Sequence, residues 1–199
     1  MIKVAVVYHS GFGHTKLQAE AIARGASEIE GVEVVVFSVS EAGDDIDLLD
    51  DANAIVFGCP TYMGNVSADM KKFQEIAASK WFSLAWKNKI AGAFTNASSF
   101  AGDKLNTLTS LMINAMQHGM IYVGMAMFPA EDDPDVLESI EGPSSANLNR
   151  VGSFMGPSAS RMQVNAPLAP GSGDIATAEA YGSRIAEITL QFWRGRSEH

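Results

Sequence analysis

The segment Ser10-Gly11-Phe12-Gly13-His14-Thr15 has the residue types and the setting to hold an anion. It separates an apolar run, Ile2 to Tyr8, from a stretch in which Leu17, Ala19, Ile22, Ala23, Ala26 and Ile29 recur at roughly helical spacing. The first N–H groups of a helix have no partner within it and lie at the positive end of its dipole, so a phosphate is favoured there. Gly11 and Gly13 let the backbone turn and approach a ligand closely, and Ser10 and Thr15 add hydroxyl donors. Two other nucleotide loops are excluded. The dinucleotide fingerprint needs a third glycine where Lys16 stands, and an acid near the end of the second strand, where Phe37, Ser38 and Val39 stand. The nucleotide-triphosphate loop ends in Gly-Lys-Ser/Thr, which this segment lacks. What remains is a short loop for one terminal phosphate monoester. The plain alternative is a glycine-rich connection between a strand and a helix.

The elements that must position this loop alternate along the chain. Ile2 to Tyr8 reads as a strand buried on both faces. A helix follows the loop and stops at Gly31, and Val32 to Val39 is a second strand. The acidic stretch Glu41 to Asp51 reads as solvated. Ala54 to Cys59 is a third strand, ending in the turn-rich segment Pro60-Thr61-Tyr62-Met63-Gly64-Asn65. Ser67 can cap a helix reaching about Ala78, with Met70, Phe73 and Ile76 or Ala77 inward. Ile90 to Thr95 is a fourth strand, followed by the small, polar loop Asn96 to Gly102 with Phe100 as its one large apolar residue. Leu105, Leu108, Leu111, Met112, Ala115 and Met116 mark a helix, and Met120 to Met125 a fifth strand. From about 129 to 173 the chain is rich in Pro, Gly, Ser and Asn without periodicity, a long excursion of the kind that is functional or mobile. A last helix starts near Asp174, with Ala178, Tyr181, Ile185, Ile188 and Phe192 as its inner stripe.

This alternation predicts one doubly wound α/β domain spanning residues 1–199. Its ligand edge lies at the carboxyl ends of the strands, where the loops 9–15, 60–66, 96–102 and part of the excursion gather. Of the 199 residues 47% are hydrophobic, enough for a core, and the formal net charge is −9. That charge excludes a nucleic-acid binder, which needs clustered Lys and Arg. It serves solubility, or the docking of an acidic electron carrier on a basic partner. The single cysteine, Cys59, cannot form an internal disulfide and reads as a small core residue. The first strand is too short and lacks the cleavage pattern for a signal peptide, and no apolar stretch approaches the ~20 residues of a membrane span, so the expected location is cytoplasmic, without membrane insertion. His9, His14, His118 and His199 have no metal-ligand spacing with Cys59 or carboxylates, and no metal is expected.

Ser10-x-x-Gly13-His14-Thr15, then Pro60-Thr61-Tyr62-Met63-Gly64-Asn65 with Met70-Lys71-Lys72-Phe73, then His118-Gly119-Met120, occur in an order and spacing that resemble a known family. They are similar to the flavodoxin-like NAD(P)H:quinone oxidoreductases of the tryptophan-repressor-binding-protein type, over nearly the whole chain. The resemblance implies a three-layer fold with a five-stranded parallel sheet in the order 2-1-3-4-5. It implies FMN as cofactor and NAD(P)H as electron donor, with two electrons passed to a quinone by a ping-pong mechanism and no catalytic triad. It further implies a homodimer or homotetramer. Alternatives are a flavodoxin-type electron carrier, an NAD(P)H-dependent FMN reductase, or a non-enzymatic regulatory module.

Carried over by position, Ser10, Gly11, Phe12, Gly13, His14 and Thr15 would hold the phosphate. Pro60, Thr61, Tyr62, Met63, Gly64 and Asn65 would border the isoalloxazine ring, with Thr61, Tyr62 and Met63 lining it. Thr95, Asn96, Ala97, Ser98, Ser99, Phe100 and Ala101 would wrap its polar edge, although the family's loop there is typically rich in Gly and Thr. His118 would sit beside the flavin, in the same or a neighbouring subunit. Phe12 falls where the family meets the nicotinamide cofactor, and Trp81 where it has an aromatic residue close to the substrate. Plain alternatives are core packing for Tyr62, Trp81 and Phe100, a dipole-favoured helix terminus for His118, solvent for His14, and a solvated helix face for Lys71 and Lys72.

Overall fold

The computed structural model describes residues 1–197, so His199 lies outside the described residues. Its central path is β1 (Ile2–Tyr8), β2 (Val32–Ser38), β3 (Ala54–Tyr62), β5 (Ile90–Ala97) and β6 (Ile121–Tyr122), in the order β2-β1-β3-β5-β6, every neighbouring pair parallel. That is the expected 2-1-3-4-5 arrangement. Two short strands bring the sheet to seven: β4 (Asn65–Val66) pairs antiparallel with β3, and β7 (Ser158–Ser160) pairs parallel with β5. β7 lies inside the excursion that shows no periodicity in the sequence. A three-residue strand of Ser-Ala-Ser has no alternating pattern to betray it.

Alternate side chains of the strands build two cores. Ala5, Val7, Ile55 and Phe57 face Phe73 of α3 (Ala68–Ile76) and Leu108 and Leu111 of α5 (Lys104–Gln117). Val4, Val6 and Val56 face Ile22 of α1 (His14–Ser27) and Tyr181 and Ile185 of α6 (Ser172–Ser197). Of the apolar residues that mark α5, Leu105 and Met116 face solvent. The acidic segment is more ordered than its charge suggests. Ser38 and Glu41 form a capping box at the start of α2 (Val39–Asp44), and a 3-10 turn at 46–49 buries Leu49 completely. The fifth strand keeps only two residues of the six expected. Val123 N–H still donates to Ala91 O at 2.9 Å, but Met125 N–H turns to Phe154 O, which commits the backbone to the excursion. Among the described residues, no helix is long and apolar enough to cross a membrane.

α1 and α6 cross in direct backbone contact. A Cβ on Gly25 would strike the carbonyl of Glu179, and one on Gly182 the carbonyl of Ile22. Ser183 Oγ donates to Gly25 O at 3.0 Å across the same crossing. The contact fixes the axis of α1, and hence where its N-terminus points. Gly182→Ala therefore forces these helices apart and is expected to cost about 1–3 kcal/mol or more in urea melts. Gly195→Ala on the same helix meets no neighbour among the described residues and is expected to be neutral or to stabilise by up to about 1 kcal/mol. Equal effects of the two changes would contradict the close-packing account.

Candidate functional site

Because the strands of the central path are parallel, the segments after β1, β3 and β5 emerge at one edge. The first is held by local geometry. Gly13 caps α1 with φ 89°, a left-handed conformation that suits glycine. Ser10 Oγ accepts the N–H groups of Gly13 (3.1 Å) and Lys16 (3.2 Å). His14 and Thr15 begin the helix and are both buried, with amides that no turn of α1 can satisfy. Asn96 Nδ2 donates to Thr15 Oγ1 at 2.7 Å, joining the end of β5 to the start of α1. Ser10 and Thr15 thus act as acceptors inside the protein, and each keeps a hydroxyl proton to donate.

Below the loops lies a buried layer of hydroxyls. Thr61 Oγ1 is 2.9 Å from Thr95 Oγ1 and 2.8 Å from Thr107 Oγ1, and Thr95 Oγ1 donates to Cys59 O at 2.7 Å. This layer ties β3, β5 and α5 together where the ligand edge begins. Cys59 sits in it fully buried, its thiol pushed up to about 12 by desolvation, which makes it inert at neutral pH.

One cavity collects Gly11, Phe12, His14, Thr15, Pro60, Thr61, Tyr62, Asn96, Ala97 and Ser98. Ser10 and Gly13 of the same loop line a second recess, with Tyr8, His9 and Lys16. Tyr62 lies over Gly11, where an added Cβ would come within 2.5 Å of the phenol oxygen, and its ring meets His9 edge-on at 6.4 Å. Burial raises the Tyr62 hydroxyl above its ordinary value. The ring of His14 is turned to the excursion, with Nε2–H donating to Val164 O at 2.9 Å.

Other expected residues stand back from this cavity. Thr95 is buried beneath it. Met63 is fully exposed at a positive φ of 49°, and Gly64 is held by Asn106 Nδ2 donating to its carbonyl at 2.7 Å. Asn65 Oδ1 accepts the N–H of Val66. Phe100 and Ala101 line an adjoining cleft with Lys104, Leu105 and Phe154. Ser99 offers its carbonyl to Ser160 Oγ at 3.2 Å.

Two expected residues are not brought to the cavity within one chain. His118 follows the last residue of α5, a helix of 14 residues that begins at the ligand edge, so roughly 20 Å of helix separates it from the loops. It is buried with its ring 4.5 Å from that of Trp86, and desolvation lowers its pKa. Trp81 lies on α4 (Ala78–Phe82) beside Lys80, which pairs with Asp47 and Asp50. Lys89, one residue before β5 begins, reaches the carbonyls of Leu49, Asp50 and Ala52, so this is the opposite edge of the sheet. Trp81 packs on Phe82 with ring centres 5.0 Å apart.

The excursion supplies what sequence reasoning missed. Arg161 follows β7, donates its N–H to Ala97 O at 3.0 Å, and lines the cavity. A second group holds the outer loop in place. Arg150 forms a two-pronged salt bridge with Asp174, at 2.9 and 2.7 Å, with both side chains at least 93% buried. Asp174 also accepts Ser160 N–H at 3.1 Å, Lys104 Nζ donates to Ser160 Oγ at 2.6 Å, and Arg150 lies over the Phe100 ring at 5.4 Å. Desolvation brings the Lys104 ammonium down to about 8.

Comparisons with known proteins agree with this fold. Residues 6–105 match the flavodoxin family profile. The chain is 39% identical to flavodoxin FldP of Pseudomonas aeruginosa, covering 96% of this chain and 98% of that protein. It is 28% identical to an NAD(P)H dehydrogenase (quinone) of Aromatoleum aromaticum, covering 98% and 100%. The crystal structure of a WrbA-like flavodoxin from Agrobacterium tumefaciens superposes with a TM-score of 0.72 at 34% identity, covering 96% and 99%. The chain belongs to the flavodoxin family, in its WrbA-like type, and is a flavodoxin-like flavoprotein.

Removing one partner of a buried ion pair leaves the other charge uncompensated, at a cost of about 3–5 kcal/mol. Asp174→Ala is expected to lose stability in that range in chemical melts. A loss below about 1 kcal/mol would show that the cluster does not hold the outer loop.

Proposed function

We propose that this protein is an FMN-dependent oxidoreductase that passes two electrons from NAD(P)H to quinones. The observation that supports this most is the convergence of the phosphate-type loop, Tyr62 and residues 96–98 on one cavity. The donor set fits FMN. Free amides at the start of α1 and the spare protons of Ser10 and Thr15 suit a phosphate dianion. The Tyr62 ring and the backbone from Ala97 onward suit a flat heterocycle with a polar edge. The name of the Aromatoleum aromaticum relative supports the choice of donor and acceptor.

Bound FMN would supply the redox chemistry, accepting a hydride from NAD(P)H and yielding two electrons to a quinone. The protein's part is to bind, orient and offset charge. The loop 10–15 would fix the phosphate and so set the depth of the cofactor. Tyr62 would provide a flat wall. Backbone N–H groups after Ala97 would face the ring's polar edge and offset negative charge there, as preorganised donors do in other enzymes. Within a single chain Trp81 and His118 take no part. A second reading, a one-electron carrier, is favoured by the name of the FldP relative and by the acidic net charge.

The two readings separate in one assay. Purified protein loaded with FMN is expected to sustain oxidation of NADH or NADPH by benzoquinone over many turnovers. No turnover with either donor would exclude the reductase. The double change Ser10→Ala, Thr15→Ala is expected to weaken FMN binding at least about tenfold in a fluorescence titration, since two anion-directed hydrogen bonds are lost. Unchanged affinity would remove the phosphate from this loop.

A further inference from the structure

The cavity has one feature that the phosphate-type loop does not explain. Of the residues lining it, Arg161 alone carries a positive charge. Its guanidinium lies over the Phe12 ring, 5.9 Å from the centroid, and Phe12 is itself 69% exposed. Among the described residues Arg161 pairs with no carboxylate, and its guanidinium donates from Nη1–H to Met162 O at 3.1 Å. Lys16, one residue past the loop, is drawn to Glu20 at 3.8 Å and lines the second recess with His9, Ser10 and Gly13, not this cavity. A partnered surface arginine would show an acid beside it in a chain of net charge −9. This one is held by an aromatic face and a strand, with the rest of its fork left for a ligand.

The strand matters as much as the charge. Arg161 N–H donates to Ala97 O, and β7 pairs with β5 through Thr95, Asn96 and Ala97. Position 161 is therefore fixed against the site's own strand, even though it belongs to a long excursion. The Asp174 carboxylate, bonded to Ser160 N–H, anchors the preceding residue.

We propose that Arg161, stacked on Phe12, is a phosphate anchor that the excursion adds to the cavity, selecting ligands that bear a phosphomonoester. Arginine suits this task because its planar fork can give two parallel hydrogen bonds to such a group. Two ligands of the proposed reaction carry one: FMN at its terminus, and NADPH at its 2′ position. The inference rests on the proposed use of FMN and NAD(P)H.

The test uses Arg161→Met and Arg161→Lys in the full chain. In one arm, flavin-free protein is titrated with FMN and with riboflavin. In the other, FMN-loaded protein is titrated with NADPH and with NADH. Arg161→Met is expected to weaken the phosphorylated member of one pair by about tenfold or more, leave its partner unchanged, and be partly rescued by Arg161→Lys. Selective loss in the first arm assigns the anchor to FMN, and in the second to NADPH. Equal losses within both pairs, or no loss in either, would overturn the proposal by reducing Arg161 to a packing role. If wild-type protein binds neither flavin, the proposed function falls as well, and the two failures are told apart by the wild-type titration alone.

Discussion

An α-helix cannot satisfy its own first amide donors, and in this protein the placement of α1 leaves those donors at the ligand edge of the sheet, where the proposed function puts a phosphate. The end of β1, the left-handed Gly13 and the acceptor Oγ of Ser10 leave the amides of His14 and Thr15 at the ligand edge of the sheet. Everything else positions that helix start or builds the wall opposite it. The glycine crossing with α6 sets the axis of α1. The Asn96–Thr15 hydrogen bond locks its tip to β5. The Thr61–Thr95–Thr107 layer then holds β3 and β5 in register, so that Tyr62 and Ser98 stand at the right height.

Charge is distributed to match. The surface is acidic overall, yet three cationic groups of the site and its outer loop, Arg150, Lys104 and Arg161, are enclosed or stacked on an aromatic ring. Arg150 and Lys104 are buried in a network that braces the outer loop, and Arg161 rests on Phe12. The bracing network uses a carboxylate at the start of α6, so the longest helix and the loop around Phe100 are mechanically one unit.

Much of this was legible in the sequence, for physical reasons that also explain what was not. β1 and β3 are buried on both faces and read as continuous apolar runs, and the loop between β1 and α1 declares itself through glycine and hydroxyl spacing. The two ends of the sheet look alike in sequence, however. Trp81 and His118 carry chemistry-bearing side chains, but they follow helices that have already run the full depth of the sheet, and only the topology reveals that they sit at the far edge. β7 and Arg161 were illegible because Ser158–Ser160 borrows its hydrogen bonds from β5 rather than from any pattern of its own. Leu49 was hidden in an acidic stretch because one buried leucine among aspartates leaves no periodicity.

Under the proposed function, the loop 10–15 holds the phosphate of FMN as a dianion. The phosphorus resonance of FMN bound to the protein tests it directly. A free phosphomonoester takes up its second proton near pH 6. A dianion held by the amides of α1 and two hydroxyls is expected to give a resonance displaced from that of free FMN and unmoved between about pH 5 and 8. A bound resonance that titrates near pH 6, as in free FMN, would contradict the account.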